Sequence, residues 1–229
     1  MKKVALICGV LLVVSAFSRI EEVTITTFTH SDIQLEYGGK VIHIDPWSVS
    51  DLSKAKPADL ILITDDVAHH LDTKAIARVR KAGAPIVIAA NGKPQVPDGI
   101  VMANGEKRDV AGVSVEATAA YDTKPGEPFH PKGEANGYIV TIGGKRIYVS
   151  GDTECIPEMK ALTKIDVAFV CMNLPYTMPP SEAAACVAAF KPKVLVPYHY
   201  KGSDLGELDA PLASSGVEIK KLDFYARSK

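Results

Sequence analysis

Residues Leu60 to Asp72 read LILITDDVAHHLD, and the change of character within them sets the reading of the whole chain. Leu60 to Thr64 is short and apolar, with the composition of a buried strand. Asp72 is placed to cap a helix running to Lys81, with Ile76 and Val79 on one face and Gly83 to end it. Between strand and helix stand Asp65, Asp66, His69 and His70. Such side chains are costly to desolvate without partners. Either this is an exposed polar turn, or a site is built where the strand ends.

Upstream, EVTITTFTH (22–30), IQLEYGG (33–39) and KVIHIDP (40–46) are short strands, and YGGK is a tight hairpin turn. Downstream, APIVIAA, VSVEATAAY, GYIVTI, KRIYVS, DVAFVCM, KVLVPYH and VEIKKLDF read as strands. PEMKALTK is a short helix with Pro157 in its first turn, and PSEAAACVAAF a helix with Ala183, Val187 and Phe190 on one side. Hairpins early in each half, followed by helix–strand alternation, predict an α/β chain of two mixed sheets packed face to face with helices outside. No linker or compositional shift divides it.

The other polar residues of interest also fall at strand ends: Asp152 after RIYVSG and His199 after VLVPY. Loops at strand ends are where rigid elements present functional side chains. His69, His70, Asp152 and His199 make a nitrogen–oxygen donor set suited to one divalent ion, zinc foremost, with manganese or iron as alternatives.

The phrases LILITDDVAHHLD, GGKRIYVSGDTE and VLVPYHY resemble the metallo-β-lactamase-fold superfamily. Within it, THSDIQLEYGGKVIHIDPW and AYDTKPGEPFHPKGEANGY are similar to the opening hairpin and middle loop of small metal-dependent hydrolases of the ascorbate-6-phosphate lactonase group. The resemblance covers essentially all of the chain after residue 18. It implies a four-layer αββα sandwich with the metal site at one edge, between the sheets.

The departures are specific. The superfamily's His-x-His-x-Asp-His motif falls on Asp65, Val67, His69 and His70, and the middle-loop histidine on Asp122. Asp152 matches the bridging carboxylate of the GDT motif and His199 the last histidine. By this reading the first metal position keeps only the carboxylates Asp65 and Asp122, and Val67 cannot ligate. The second position has His69, His70, Asp152 and His199, so the resemblance implies a mononuclear site with Asp65 beside it as proton acceptor or additional ligand.

His130 and Lys132, in FHPKG, read equally as substrate-binding groups at the mouth or as ordinary surface residues. Asp122, His30 and Asp45 are candidates for metal contact or for orienting a ligand. His43, between two isoleucines, reads as structural, and Tyr198 and Tyr200 as packing or substrate contacts. No Walker loop and no Gly-x-Ser-x-Gly elbow is present.

The 229 residues, 47% hydrophobic and 23% charged, suit a soluble globular protein. A net charge of −1 gives no electrostatic case for nucleic acid or an anionic membrane, so the expected partner is a small-molecule substrate. Residues 1–18, MKKVALICGVLLVVSAFS, carry Lys2 and Lys3, an apolar run and small residues: the pattern of a secretory signal rather than of a stable membrane span. An uncleaved anchor or a buried strand is the other reading. Cleavage would export residues 19–229 to the periplasm or exterior as one domain. Cys155, Cys171 and Cys186 show no zinc-binding spacing; Cys186 reads as a packed core residue, with one disulfide left open.

Function follows as a metal-dependent hydrolase of a lactone, phosphodiester or phosphate ester, ahead of a β-lactam. The alternative is a degenerate member that binds a small molecule or a protein without turnover.

Overall fold

The structure is a computed structural model that describes residues 23–126 and 128–225. The 1–18 signal assignment lies outside the described residues. A six-stranded sheet is formed in spatial order by β1 (Thr24–Thr27), β2 (Ile33–Tyr37), β3 (Lys40–Ile44), β4 (Leu60–Leu62), β5 (Ile86–Ile88) and β6 (Ile100–Val101). A seven-stranded sheet holds β7 (Lys107–Val110), β8 (Val113–Ala120), β9 (Ala135–Ile142), β10 (Lys145–Val149), β11 (Val167–Cys171), β12 (Val194–Tyr198) and β13 (Glu218–Ile219), again in sequence order. Among the described residues, four α-helices, α1 (Thr73–Val79), α2 (Pro157–Lys160), α3 (Pro180–Phe190) and α4 (Asp209–Leu212), accompany them.

Strand alternation explains the layers. Leu60 and Leu62 pack into one core with Ile33, Leu35, Ile42 and Ile44 and with residues of the second sheet, such as Val115 and Val140. Ile61 and Ile63 face the other way, onto Ala75, Ile76 and Val79 of α1. Both faces of β4 are therefore covered, which is why its sequence is apolar without interruption. On the second sheet, α3 contributes Ala183, Val187 and Phe190 to the main core.

Topology then places the strand ends. From β3 to β6, and from β10 to β13, neighbouring strands are parallel. β1 is antiparallel to β2 and β2 to β3, so β1 shares the direction of β3. The carboxyl ends of β1, β3 and β4 in one sheet, and of β10, β11 and β12 in the other, thus emerge together, the usual place for a ligand in such sheets. At this edge the sheets are tied: Asn136 N–H donates to Thr64 O (2.8 Å) and the Tyr138 hydroxyl to Ile63 O (2.7 Å).

Several elements differ from expectation. α1 stops at Val79 because Arg80 leaves the helix to bridge Ala58. PEMKALTK is helical only over Pro157–Lys160, and VEIKKLDF pairs only over Glu218–Ile219. β6 and β7 were not evident in the sequence; they are short, and only one of their six residues is buried. Cys186 is not a free core thiol. It forms a disulfide with Cys155, with Cα atoms 5.5 Å apart, and links the loop after β10 to α3. Cys171 is buried and free.

Candidate metal centre

Each strand end delivers one part of the site. After β4, Thr64 and Asp65 lead into a turn in which His70 N–H and Leu71 N–H both donate to Val67 O (2.9 and 2.8 Å). That turn lets the adjacent His69 and His70 converge, their rings 4.5 Å apart. After β10, Gly151 adopts φ 64°, and a Cβ there would sit 2.5 Å from Asn136 O. Glycine is thus required immediately before Asp152. After β12, His199 has φ 49°; after β1, His30 has φ 67°; after β3, Asp45 has φ 47°. Three of the six non-glycine residues with positive φ among the described residues therefore border this edge, a concentration of backbone strain typical of functional sites.

His69, His70, Asp152 and His199 each offer a ligand atom, all within 4.8 Å of one another. His70 Nε2 lies 3.2 Å and His199 Nε2 3.3 Å from Asp152 Oδ2. The His199 contact lacks hydrogen-bond alignment, so both its ring nitrogens, like Asp152 Oδ1, are buried without a hydrogen-bond partner. Leaving such atoms unpaired costs about 1–3 kcal/mol each. A cation between the four side chains would satisfy Asp152 and one His199 nitrogen, so the residues present fit a metal ion.

Asp45 stands behind His70. Its Oδ2 is 2.7 Å from His70 Nδ1 and accepts from Thr64 Oγ1 (2.6 Å), while Oδ1 accepts from Thr64 N–H (2.8 Å). This carboxylate–imidazole pair fixes the ring and leaves Nε2 for the centre, as is usual for ligating histidines. Burial disfavours a charged His70, yet Asp152 and Asp45 outweigh it and hold the imidazole well above its ordinary range. Burial alone would raise Asp152, but His199, His70 and His130 hold it well below the usual carboxylate range. His69 and His199 are both pushed down to about 4, chiefly by burial.

The other predicted residues divide. Asp65 is brought to the centre: Asn91 Nδ2 donates to its Oδ1 (3.2 Å), as does Asp66 N–H (2.7 Å), and burial raises its pKa. His130 occupies the first-position side, with Nε2 3.6 Å from Asp152 Oδ2 and 3.9 Å from Asp65 Oδ2. Of the two roles open to Asp122, metal contact or orienting a neighbour, its contacts fit the second. It accepts from His130 N–H (2.9 Å) and contacts His130 Nδ1 (3.2 Å), so it orients that histidine. The middle-loop imidazole is supplied by His130, eight residues beyond Asp122, because the loop folds back on itself through Asp122 N–H to His130 O (3.0 Å). Lys132 does not line the cavity at the centre. Its ammonium donates to Glu158 (2.9 Å) and to the Tyr121 hydroxyl (3.2 Å).

His30 lies against the cluster, its ring 3.7 Å from that of His199, with Nδ1 2.9 Å from the Tyr225 hydroxyl. His43 is buried and contacts Lys56 O (3.1 Å), away from the cavity. The sequence reading missed Asn91 and Tyr225, which no local motif marks. It also missed the place of His130, for which the coupled AYD and FHPKG phrases were the available signal.

The family model described as Beta-lactamase superfamily domain matches residues 24–199. The chain belongs to the β-lactamase superfamily. Its two sheets with outer helices are the metallo-β-lactamase fold, an α/β αββα sandwich. Within the superfamily, a metal-dependent hydrolase of Thermococcus onnurineus is 34% identical over 200 residues, 81% of this chain and 85% of the relative. A solved structure from Parabacteroides distasonis, described as a candidate metal-dependent hydrolase, is 41% identical, with a TM-score of 0.83 over 87% of this chain and 92% of that one. A metallo hydrolase from Ignicoccus hospitalis is 25% identical, with a TM-score of 0.73 over 88% and 95% of the two chains.

Proposed function

We propose that this chain is a metal-dependent hydrolase with a mononuclear centre held by His69, His70, Asp152 and His199. The observation that carries this reading is the convergence of those four donors from three strand ends with buried atoms of Asp152 and His199 left unpartnered. The names of superfamily relatives as metal-dependent hydrolases support it. Zinc suits the donors best, with manganese or iron as alternatives. When bound, such an ion lowers the pKa of a water and polarises a carbonyl or phosphoryl oxygen.

The chain's own groups do the rest. Asp45 and Thr64 hold His70 in the tautomer that presents Nε2. Asp65, raised by burial and steadied by Asn91, takes a proton from the attacking water. Asp122 keeps His130 turned toward Asp65 and Asp152, on the side from which substrate enters. The substrate is a lactone, phosphodiester or phosphate ester rather than a β-lactam, because Val67 leaves the first metal position incomplete. The signal-like N-terminus and the Cys155–Cys186 disulfide support export to an oxidising compartment, periplasmic or extracellular.

A screen of lactone, ester and phosphodiester substrates with added zinc, manganese or iron tests the reading. Turnover abolished by His199→Ala is expected. Silence with every metal and substrate would favour the non-catalytic alternative, a binding protein for which the exposed Val67 is the supporting feature.

A further inference from the structure

The cavity over the candidate centre has a volume of about 400 Å³, within the range of small-molecule sites. Five large hydrophobic side chains are exposed among the described residues, and three of them, Val67, Phe129 and Tyr176, line this cavity. Phe129 is 60% and Tyr176 48% exposed, and their rings meet edge-on 5.1 Å apart. Single exposed apolar residues are ordinary, whereas several gathered at one mouth mark a ligand surface.

Lys201 lines the same cavity. Lys124 and Lys132 are paired with Glu154 and Glu158, but the Lys201 ammonium makes no ion pair among the described residues. Its backbone is tied down: Lys201 N–H donates to the Tyr225 hydroxyl (3.1 Å), which contacts His30 Nδ1 (2.9 Å). Phe129 precedes His130 on the Asp65 side, while Lys201 follows His199 on the His30 side. An apolar wall and an unpaired cation therefore flank the metal donors from different loops.

We propose that the cavity selects a small monocarboxylate with an aromatic or alkyl body. The body packs on Phe129, Tyr176 and Val67, the carboxylate meets Lys201, and the reacting group lies over the donors between them. A lone ammonium is a compact point charge that one carboxylate suffices to pair. The proposal rests on the reading of the centre as a hydrolytic metal site.

Calorimetric titration of the mature protein with phenylbutyrate, butyrate and phenylbutanol, metal-loaded and after chelation, tests it. Phenylbutyrate is expected to bind at least about tenfold more tightly than either probe lacking one part. Phe129→Ala should erase the advantage of the ring, and Lys201→Met that of the carboxylate; both residues are exposed, so an unchanged thermal melt is expected to accompany each. Equal affinity for the three probes would overturn the proposal. So would a carboxylate preference that survives Lys201→Met but vanishes on chelation, which would leave the hydrolase reading intact. A protein that takes up no metal would defeat the hydrolase reading, while the chelated arm would still decide the cavity's preference.

Discussion

On one side of Asp152, His69, His70 and His199 bring their ligand atoms within 4.8 Å of one another and of the carboxylate. On the other side, His130 Nε2 lies 3.6 Å from Asp152 Oδ2 and 3.9 Å from Asp65 Oδ2, and the half-exposed Val67 offers no ligand atom. The two positions share a carboxylate and an edge, yet three imidazoles gather with Asp152 on one side and a single imidazole, with Asp65, on the other. The difference lies in support as much as in ligand count. His70 is backed by a fully buried Asp45 from another strand, itself held by Thr64. His130 is backed by Asp122 of its own loop. A donor fixed from a neighbouring strand is held by the core, whereas one fixed within a loop is only as rigid as that loop.

The largest expected effect comes from breaking the complete side. His70→Ala or Asp152→Ala should remove bound metal and lower turnover by at least about 100-fold, measured by metal analysis and by rate on any active substrate. Ligating histidines must also be neutral, so metal content should fall as pH is lowered through their titration range. Asp45→Asn comes next. It keeps the shape but weakens the hold on His70, and metal affinity should drop about 10–100-fold in competition with a chelator.

The incomplete side offers the reverse test. Asp65→His with Val67→His places two imidazoles on that side, and should raise metal uptake toward a second equivalent. If uptake stays unchanged, the first position is limited by the His130 loop rather than by missing donors. Smallest of all is the effect at Asp32, which offers none of the four ligand atoms but accepts from Trp47 N–H (3.3 Å) behind the site. Burial pushes its carboxyl up to about 8, and its Oδ1 makes no hydrogen bond, with only His43 Nδ1 nearby at 4.0 Å. The folded chain then keeps a proton that the unfolded chain releases, so stability falls as pH rises from about 4 toward about 8. Asp32→Asn should flatten that fall and raise Tm at the upper end by about 2–4 °C, with metal content unaltered.

The sandwich was legible because its strands are short apolar runs and its turns are marked by paired glycines. Both signals are local. His69, His70, Asp152 and His199 were legible as well, since each follows such a run and parallel strands deliver their ends to one edge. What the sequence hid depends on how a loop folds back. Asp122 and His130 sit in a segment without periodicity, and only the hydrogen bonds between them reveal which one reaches the centre. The Cys155–Cys186 pair was hidden for a similar reason. Helical spacing marks Cys186 as a packed residue, but the loop that brings Cys155 to it carries no repeating pattern.

The most direct test of the asymmetry between the two positions is the metal stoichiometry of the protein, purified without chelator, beside its His70→Ala variant. One equivalent per chain, lost in the variant, is the predicted result. Two equivalents, or one that persists without His70, would contradict the account.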